Sequence, residues 1–356
     1  MKKRLIFTII CLISIFLVAL ATIAIYYQFQ PPTIAMKEAV SHEQELIPSS
    51  LPATPSATIL NLLSTGDLMI GRSVNATGVK RKNFSWSFEE VTPELQKFDY
   101  VIANLETPIV TDCPVTIEGM IFCADASASS ALANSPISLV TLANNHIANY
   151  GNEGIHDTFH LLENAGQAYA VEDELFITEI NGHQLGVLAL DDVTHPVDLD
   201  TIGETINKAK SQVDILAIAL HFGAEYRYQP ATSQIELAHT LIDHGADLII
   251  GNHSHWLGPI EIYRGKAIIY SHGNFVFDQM WSTETRQGLA INSIFNPDHQ
   301  LEKLEIYPIW ITDYGRAHWV AGESEGEQIL DIFAHLVPEA THSGNHLEIN
   351  INPSHQ

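Results

Sequence analysis

A chain of 356 residues, 46% of them hydrophobic, is long enough to bury one large core with appendages, which excludes a disordered protein. Its formal net charge of −25, from 42 acidic against 17 basic residues, excludes a sequence-independent grip on nucleic acid, because neutralising phosphates takes clustered Lys and Arg. Three cysteines beside 18 histidines exclude a thiolate zinc finger and direct any metal site to imidazole, carboxylate and amide ligands.

In chain order, Lys2, Lys3 and Arg4 precede an apolar run over residues 5–27. That run has the length of a bilayer span, and the basic flank keeps the amino end inside. Ala19, Leu20 and Ala21 form a small-residue site that leaves a cleaved signal peptide as the rival, but the run continues through Ile23 and Ile25, which favours an uncleaved anchor. Residues 28–58, with Pro31, Pro32, Pro48, Pro52 and Pro55, cannot bury enough surface to fold alone and read as a disordered tether. The expectation is a single-pass protein of the cell membrane whose main domain, residues 59–312, stands outside it, followed by a carboxyl-terminal extension over 313–356.

From residue 59 onward short apolar runs alternate with helical stretches, the pattern of an α/β protein with a parallel or mixed sheet. Each run ends in metal-binding chemistry. Residues 59–63 lead to Asp67, 100–103 to Glu106, 139–143 to Asn144, Asn145 and His146, 215–220 to His221, and 248–250 to Asn252, His253 and His255. In open α/β sheets ligands bind beyond the carboxyl ends of strands, so these five ends point to one shared site, with both carboxylates just past their strands. In the His253-x-His255 pair, alternation along an extended segment would bring two imidazoles to one metal, and oxygen ligands from Asp67 and Glu106 would complete a mixed site of zinc, manganese or iron type. A carboxylate such as Glu106 can bridge two cations, the arrangement that activates water for hydrolysis at phosphorus. Asp191 and Asp192 also end an apolar run and read as turn residues. Cys113 and Cys123 share one loop-like stretch; an oxidising compartment lets them pair, and two free buried thiols fit the sequence equally.

The stretches Gly66-Asp67-Leu68-Met69-Ile70-Gly71-Arg72, Asn104-Leu105-Glu106, Ala143-Asn144-Asn145-His146, His221-Phe222-Gly223-Ala224-Glu225-Tyr226, Gly251-Asn252-His253-Ser254-His255 and Ser271-His272-Gly273-Asn274 resemble, in order, the motifs of the CapA family. The resemblance implies a four-layer α/β/β/α sandwich similar to calcineurin-like metallophosphoesterases, and a role in poly-γ-glutamate capsule synthesis or export from a membrane-anchored position beside integral-membrane synthesis proteins. It implies Asp67, Glu106, Asn145, His221, His253 and His255 as ligands of one or two divalent cations, and His146 as the imidazole that protonates a leaving group. Arg72, Glu225 and Asn274 fall at the substrate, an anionic polymer or a phosphoester. The chain departs from the pattern in three places. Met69 stands where hydrolytic phosphoesterases place a histidine ligand, Asn149 where an acidic residue would orient His146, and His272 where leucine is usual, as an added ligand or a solvent-facing residue. Intact ligands favour a metal-dependent hydrolase; Met69 and Asn149 favour a non-catalytic factor that binds the polymer for assembly or export.

Overall fold

A computed structural model of the chain describes residues 57–351, so the expected membrane segment and the tether up to residue 56 lie outside the described residues. Among the described residues no helix is long and apolar enough to cross a membrane. Eighteen strands are described. In chain order they are β1 (Leu60–Leu68), β2 (Tyr100–Leu105), β3 (Ile109–Val110), β4 (Ala124–Asp125), β5 (Leu139–Thr141), β6 (Ala168–Ala170), β7 (Phe176–Ile180), β8 (His183–Asp191) and β9 (Ile215–His221), then β10 (Leu248–Asn252), β11 (Ile260–Tyr263), β12 (Lys266–Ile269), β13 (Asn274–Val276), β14 (Gln287–Phe295), β15 (Leu301–Thr312), β16 (Arg316–Trp319), β17 (Thr341–Ser343) and β18 (His346–Asn350). The main helices are α1 (Arg72–Arg81), α2 (Thr92–Leu95), α3 (Ser127–Ala133), α4 (Gly151–Ala165), α5 (Ile202–Lys210), α6 (Thr232–Asp243) and α7 (Ser324–Leu336).

The strands make a mixed α/β fold with more than one sheet. A 10-stranded sheet runs β17-β18-β15-β14-β1-β2-β5-β6, with β13 on β1 and β16 on β15; a 6-stranded sheet runs β11-β12-β10-β9-β8-β7; β3 and β4 pair alone. Side chains alternate across a strand, and central strands such as β9 and β10 are buried on both faces because both faces are covered. In β9, Ile215, Ala217 and Ala219 join a core cluster shared with Leu60, Leu62 and Ile102 of the larger sheet, whereas Leu216, Ile218 and Leu220 pack with Ile206 of α5 and Leu241 of α6. The larger sheet repeats the pattern: Val101 and Ala103 turn to a third cluster with Val74 of α1, Leu132 of α3 and Leu162 of α4. The segment expected to be a carboxyl-terminal extension is woven into this sheet as far as it is described, since β18 pairs with β15, and Phe333 and Leu347 lie in the shared core.

The carboxyl end of β1 is irregular, and that irregularity shapes the site. Ser64 pairs with Ile102 but Asp67 pairs with Asn104, so one extra residue is inserted in β1 against β2. A bulge of this kind bends the strand and re-aims its side chains. Asp67 therefore lies within β1, flanked by Asn104 and by Asn274 of β13, rather than just past the strand as expected. Gly66 permits the close approach: a Cβ there would stand 2.2 Å from the carbonyl oxygen of Gly273. Gly66→Ala is expected to lower stability by about 1–3 kcal/mol, the usual cost of overpacking, because only backbone can yield. A thermal melt matching the parent protein would refute this account of the bulge.

Candidate metal centre

All the residues singled out at strand ends come together. Asp67 sits on the bulge of β1, Glu106 follows β2, and Asn145 and His146 lie in the turn after β5. The smaller sheet supplies His221 as the last residue of β9, and His253 and His255 directly after β10. His253 and His255 do not lie on an extended segment, as alternation had suggested. Their φ angles are +96° and +57°, so the chain curls back and carries both rings to the same point, with centroids 5.9 Å apart. Left-handed backbone in non-glycine residues is sterically costly and concentrates where surrounding structure imposes it.

The donor atoms stand close. His221 Nε2 lies 3.0 Å from Asn145 Oδ1 and 3.1 Å from His253 Nδ1. Glu106 Oε1 lies 3.7 Å from His146 Nε2 and 3.9 Å from both His221 Nε2 and His255 Nε2. Two ligands of one cation with bonds of 2.0–2.2 Å are about 3–3.5 Å apart, so this spacing suits a metal after small adjustments. Three overlapping groups could each hold an ion: Glu106, His221 and His253; Asp67, Glu106 and His255; and Glu225, His253 and His255. Glu106 belongs to two of them, which is the position a bridging carboxylate takes.

The two carboxylates are treated oppositely by their surroundings. Asp67 accepts hydrogen bonds from Asn104 Nδ2 at 2.8 Å and from the His253 backbone N–H at 3.2 Å, and His255 Nδ1 lies 3.2 Å from its Oδ2. Burial alone would raise its pKa, but His255, with His221 and Asn104, outweighs burial and holds the carboxyl far below its ordinary range. Glu106 is fully buried and neither oxygen has a hydrogen-bond partner. Burial, with the Asp67 charge added, pushes its carboxyl well above the ordinary value. A buried, unpartnered carboxylate is costly unless a cation answers it, and this is the feature that fits a metal ion. Burial also lowers His221 well below its ordinary value and His253 to about 4, so both rings stay neutral, the form that binds metals.

The departures from the family pattern resolve into definite contacts. Met69 is buried with Phe122, Phe277 and Ile311, its Sδ accepting the Gly71 N–H at 3.1 Å, so an apolar plug fills that position. Asn149 does orient His146: Asn149 Oδ1 accepts the Phe122 backbone N–H at 2.6 Å and lies 3.1 Å from His146 Nδ1. An acceptor there assigns the proton to Nδ1 and leaves Nε2 toward Glu106. Phe122 lies tilted by 31° against the His146 ring with centroids 4.2 Å apart, and its neighbour Cys123 is disulfide-bonded to Cys113, which settles the pairing the sequence left open. His272 is neither a ligand nor a solvent-facing residue. It is fully buried, bridges the Gly251 carbonyl at 3.0 Å and Ser64 Oγ at 2.8 Å, and is lowered by burial to about 4.

The residues expected at the substrate separate. Asn274 is fully buried behind His255, with Oδ1 3.0 Å from His255 Nδ1 and Nδ2 donating to Gln279 Oε1 and the Thr285 carbonyl, so it supports a histidine and does not face the cleft. Arg72, 8% exposed, meets Asp278 in a buried ion pair and donates to the Gly119 carbonyl at 3.2 Å, where a substrate anion was expected. Glu225 stays half-buried within reach of His253 and His255. Asn104 was missed as a site residue. Its Nδ2 joins Asp67 to His221 Nδ1 at 3.2 Å, and only the register that sets it opposite Asp67, which the sequence does not report, reveals it. Asp191 closes a turn, its Oδ1 accepting the Val193 and Thr194 N–H groups.

The chain is 31% identical to the PGA biosynthesis protein CapA of Bacillus subtilis over 67% of its own length and 68% of that protein. It is 29% identical to the capsule biosynthesis protein CapA of Bacillus anthracis, over 71% and 68% respectively. A probable polyglutamine synthesis accessory protein of Mycobacterium tuberculosis is 27% identical over 60% of this chain and 66% of that one. Residues 61–279 match the family described as bacterial capsule synthesis protein PGA_cap, and the chain belongs to that family.

Proposed function

We propose that this chain is a membrane-anchored, extracytoplasmic accessory protein of poly-γ-glutamate capsule synthesis or export, whose α/β/β/α domain holds one or two divalent cations of manganese, zinc or iron type and acts as a metal-dependent hydrolase. The observation that carries the metal reading is Glu106, fully buried with two unpartnered oxygens amid four histidines. The layering is supported by the core shared between the sheets and the helix-covered cluster on the outer face of each. Asp67, Glu106, Asn145, His221, His253 and His255 would hold the ions; a bound divalent cation activates water and stabilises charge developing on a phosphoester or amide. His146, its Nδ1–H held by Asn149, is placed to take up a proton at Nε2 and hand it to a leaving group. Names of the curated relatives support the tie to poly-glutamate synthesis.

The test is metal content and turnover in the same full-length preparation. Elemental analysis is expected to find bound manganese, zinc or iron, and a chromogenic phosphodiester or γ-glutamyl substrate to be cleaved. His146→Ala should keep the metal and lower kcat by about 10²–10⁴-fold. A second reading, a non-catalytic factor that binds the polymer through its metal centre, is favoured by the apolar plug at Met69. Metal without turnover selects that reading, and absence of metal from every preparation removes both.

A further inference from the structure

Beside His255 four aromatic rings gather without forming a stacked core. Tyr226 lies 6.0 Å from the His255 ring, 6.2 Å from Trp256 at 58° and 6.4 Å from Trp281 at 79°, while Tyr228 lies 4.9 Å from Trp256 at 41°. The rings tilt against one another by 41–79° and none of these pairs stacks, the arrangement of an aromatic cup. Trp281 is 62% exposed, a large apolar surface left at the edge of the candidate site. Tyr226 is held at φ +60°, a conformation a bulky residue adopts only when its surroundings impose it. Gln279 does part of that holding: its Nε2 donates to the Tyr226 hydroxyl at 3.4 Å and its Oε1 accepts from Asn274, the support of His255.

Two carboxylates stand by the cup, with the exposed Arg227 between Tyr226 and Tyr228. Glu225 precedes Tyr226 and reaches His253 and His255, and Glu284 acts on Tyr228. Elsewhere the protein fills its ring faces with its own cations, Arg81 over Trp86, Arg264 over Tyr263 and Arg286 over Trp310. Among the described residues no such cation lies over any ring of the cup, and Arg72 is taken by Asp278. Neutral rings at steep angles beside carboxylates attract a cation through its charge and through the ring quadrupoles.

We propose that Tyr226, Trp256 and Trp281, with Glu225, form a recognition site for an ammonium group, so that the substrate of the neighbouring centre is an amine-bearing phosphoester. This rests on the metal-centre reading for the phosphoester and not for the ammonium. The anionic group enters among the histidines, and the cationic end settles in the cup.

The probes are phosphocholine and its uncharged isostere, 3,3-dimethylbutyl phosphate, titrated calorimetrically into the manganese-loaded full-length protein. Phosphocholine is expected to bind about tenfold more tightly. That gap should collapse in Trp281→Ala and return in part in Trp281→Phe. Equal affinity for the two probes overturns the proposal. Choline alone, titrated into metal-free protein and followed by tryptophan fluorescence, separates the two ideas. Quenching that disappears in Trp281→Ala upholds the ammonium site even if the protein never holds a metal, and no quenching overturns it.

Discussion

Replacing Asp67 with alanine is expected to strip the protein of metal and to destabilise the fold by about 3–5 kcal/mol at neutral pH. The carboxylate is fully buried and neutralised by its surroundings, so its removal leaves the Asn104 amide and the His253 N–H without their acceptor and His255 without its charge partner. The sign of the pH dependence follows from the depressed pKa. Asp67 contributes stability above its ordinary value of 3.8 and loses that contribution as pH falls toward the lower folded value. The difference between parent and variant should therefore be full at pH 7 and shrink in strong acid. At about 2–4 °C per kcal/mol the melting temperature should drop by roughly 10 °C. A variant that melts within a degree or two of the parent, or keeps its metal, would show that the bulge does not organise the centre.

Glu106→Gln is expected to act in opposite directions with and without metal. In the metal-free protein the folded state raises this carboxyl above its ordinary value of 4.5, so the folded state binds more protons than the unfolded one once pH exceeds that value. Stability then falls as pH rises toward the folded pKa. Glutamine has the same shape without the titrating charge and escapes that loss. Chelator-treated Glu106→Gln should melt a few degrees above the parent at pH 8, with the two converging below pH 4.5. With manganese present the order reverses. Binding at about 100 times Kd adds about 2.7 kcal/mol to the parent, and the variant, lacking the bridging charge, gains little. Identical melting curves for both proteins under both conditions would mean that Glu106 faces no cation.

The α/β architecture was legible because apolar runs of strand length alternate with helical stretches, and the candidate ligands because each stands where such a run stops. What the sequence could not carry was register and backbone sign. Nothing in the order of residues reports the extra residue in β1 that moves Asp67 into the strand opposite Asn104. Likewise His253 and His255 were expected to meet by alternation, whereas positive φ brings them together. Burial was equally hidden: Asn274 and His272 are polar residues in a motif-like stretch, and only packing turns the first into a support and the second into a bridge between Gly251 and Ser64. Asn149 in place of an acid looked like a loss, yet an amide oxygen accepts the same proton, and the Phe122 N–H fixes which way the amide points. The membrane segment was read from residues that fall outside those described.

The candidate ligands are drawn from both sheets, with Asp67, Glu106 and Asn145 on the larger and His221, His253 and His255 on the smaller. An ion gripped by all of them would rivet together sheets that otherwise meet through a shared apolar core and a few hydrogen bonds such as that between Asn104 and His221. Prying the sheets apart would then require breaking coordination bonds first, so a loaded molecule should resist proteases and heat for far longer than an empty one of the same sequence.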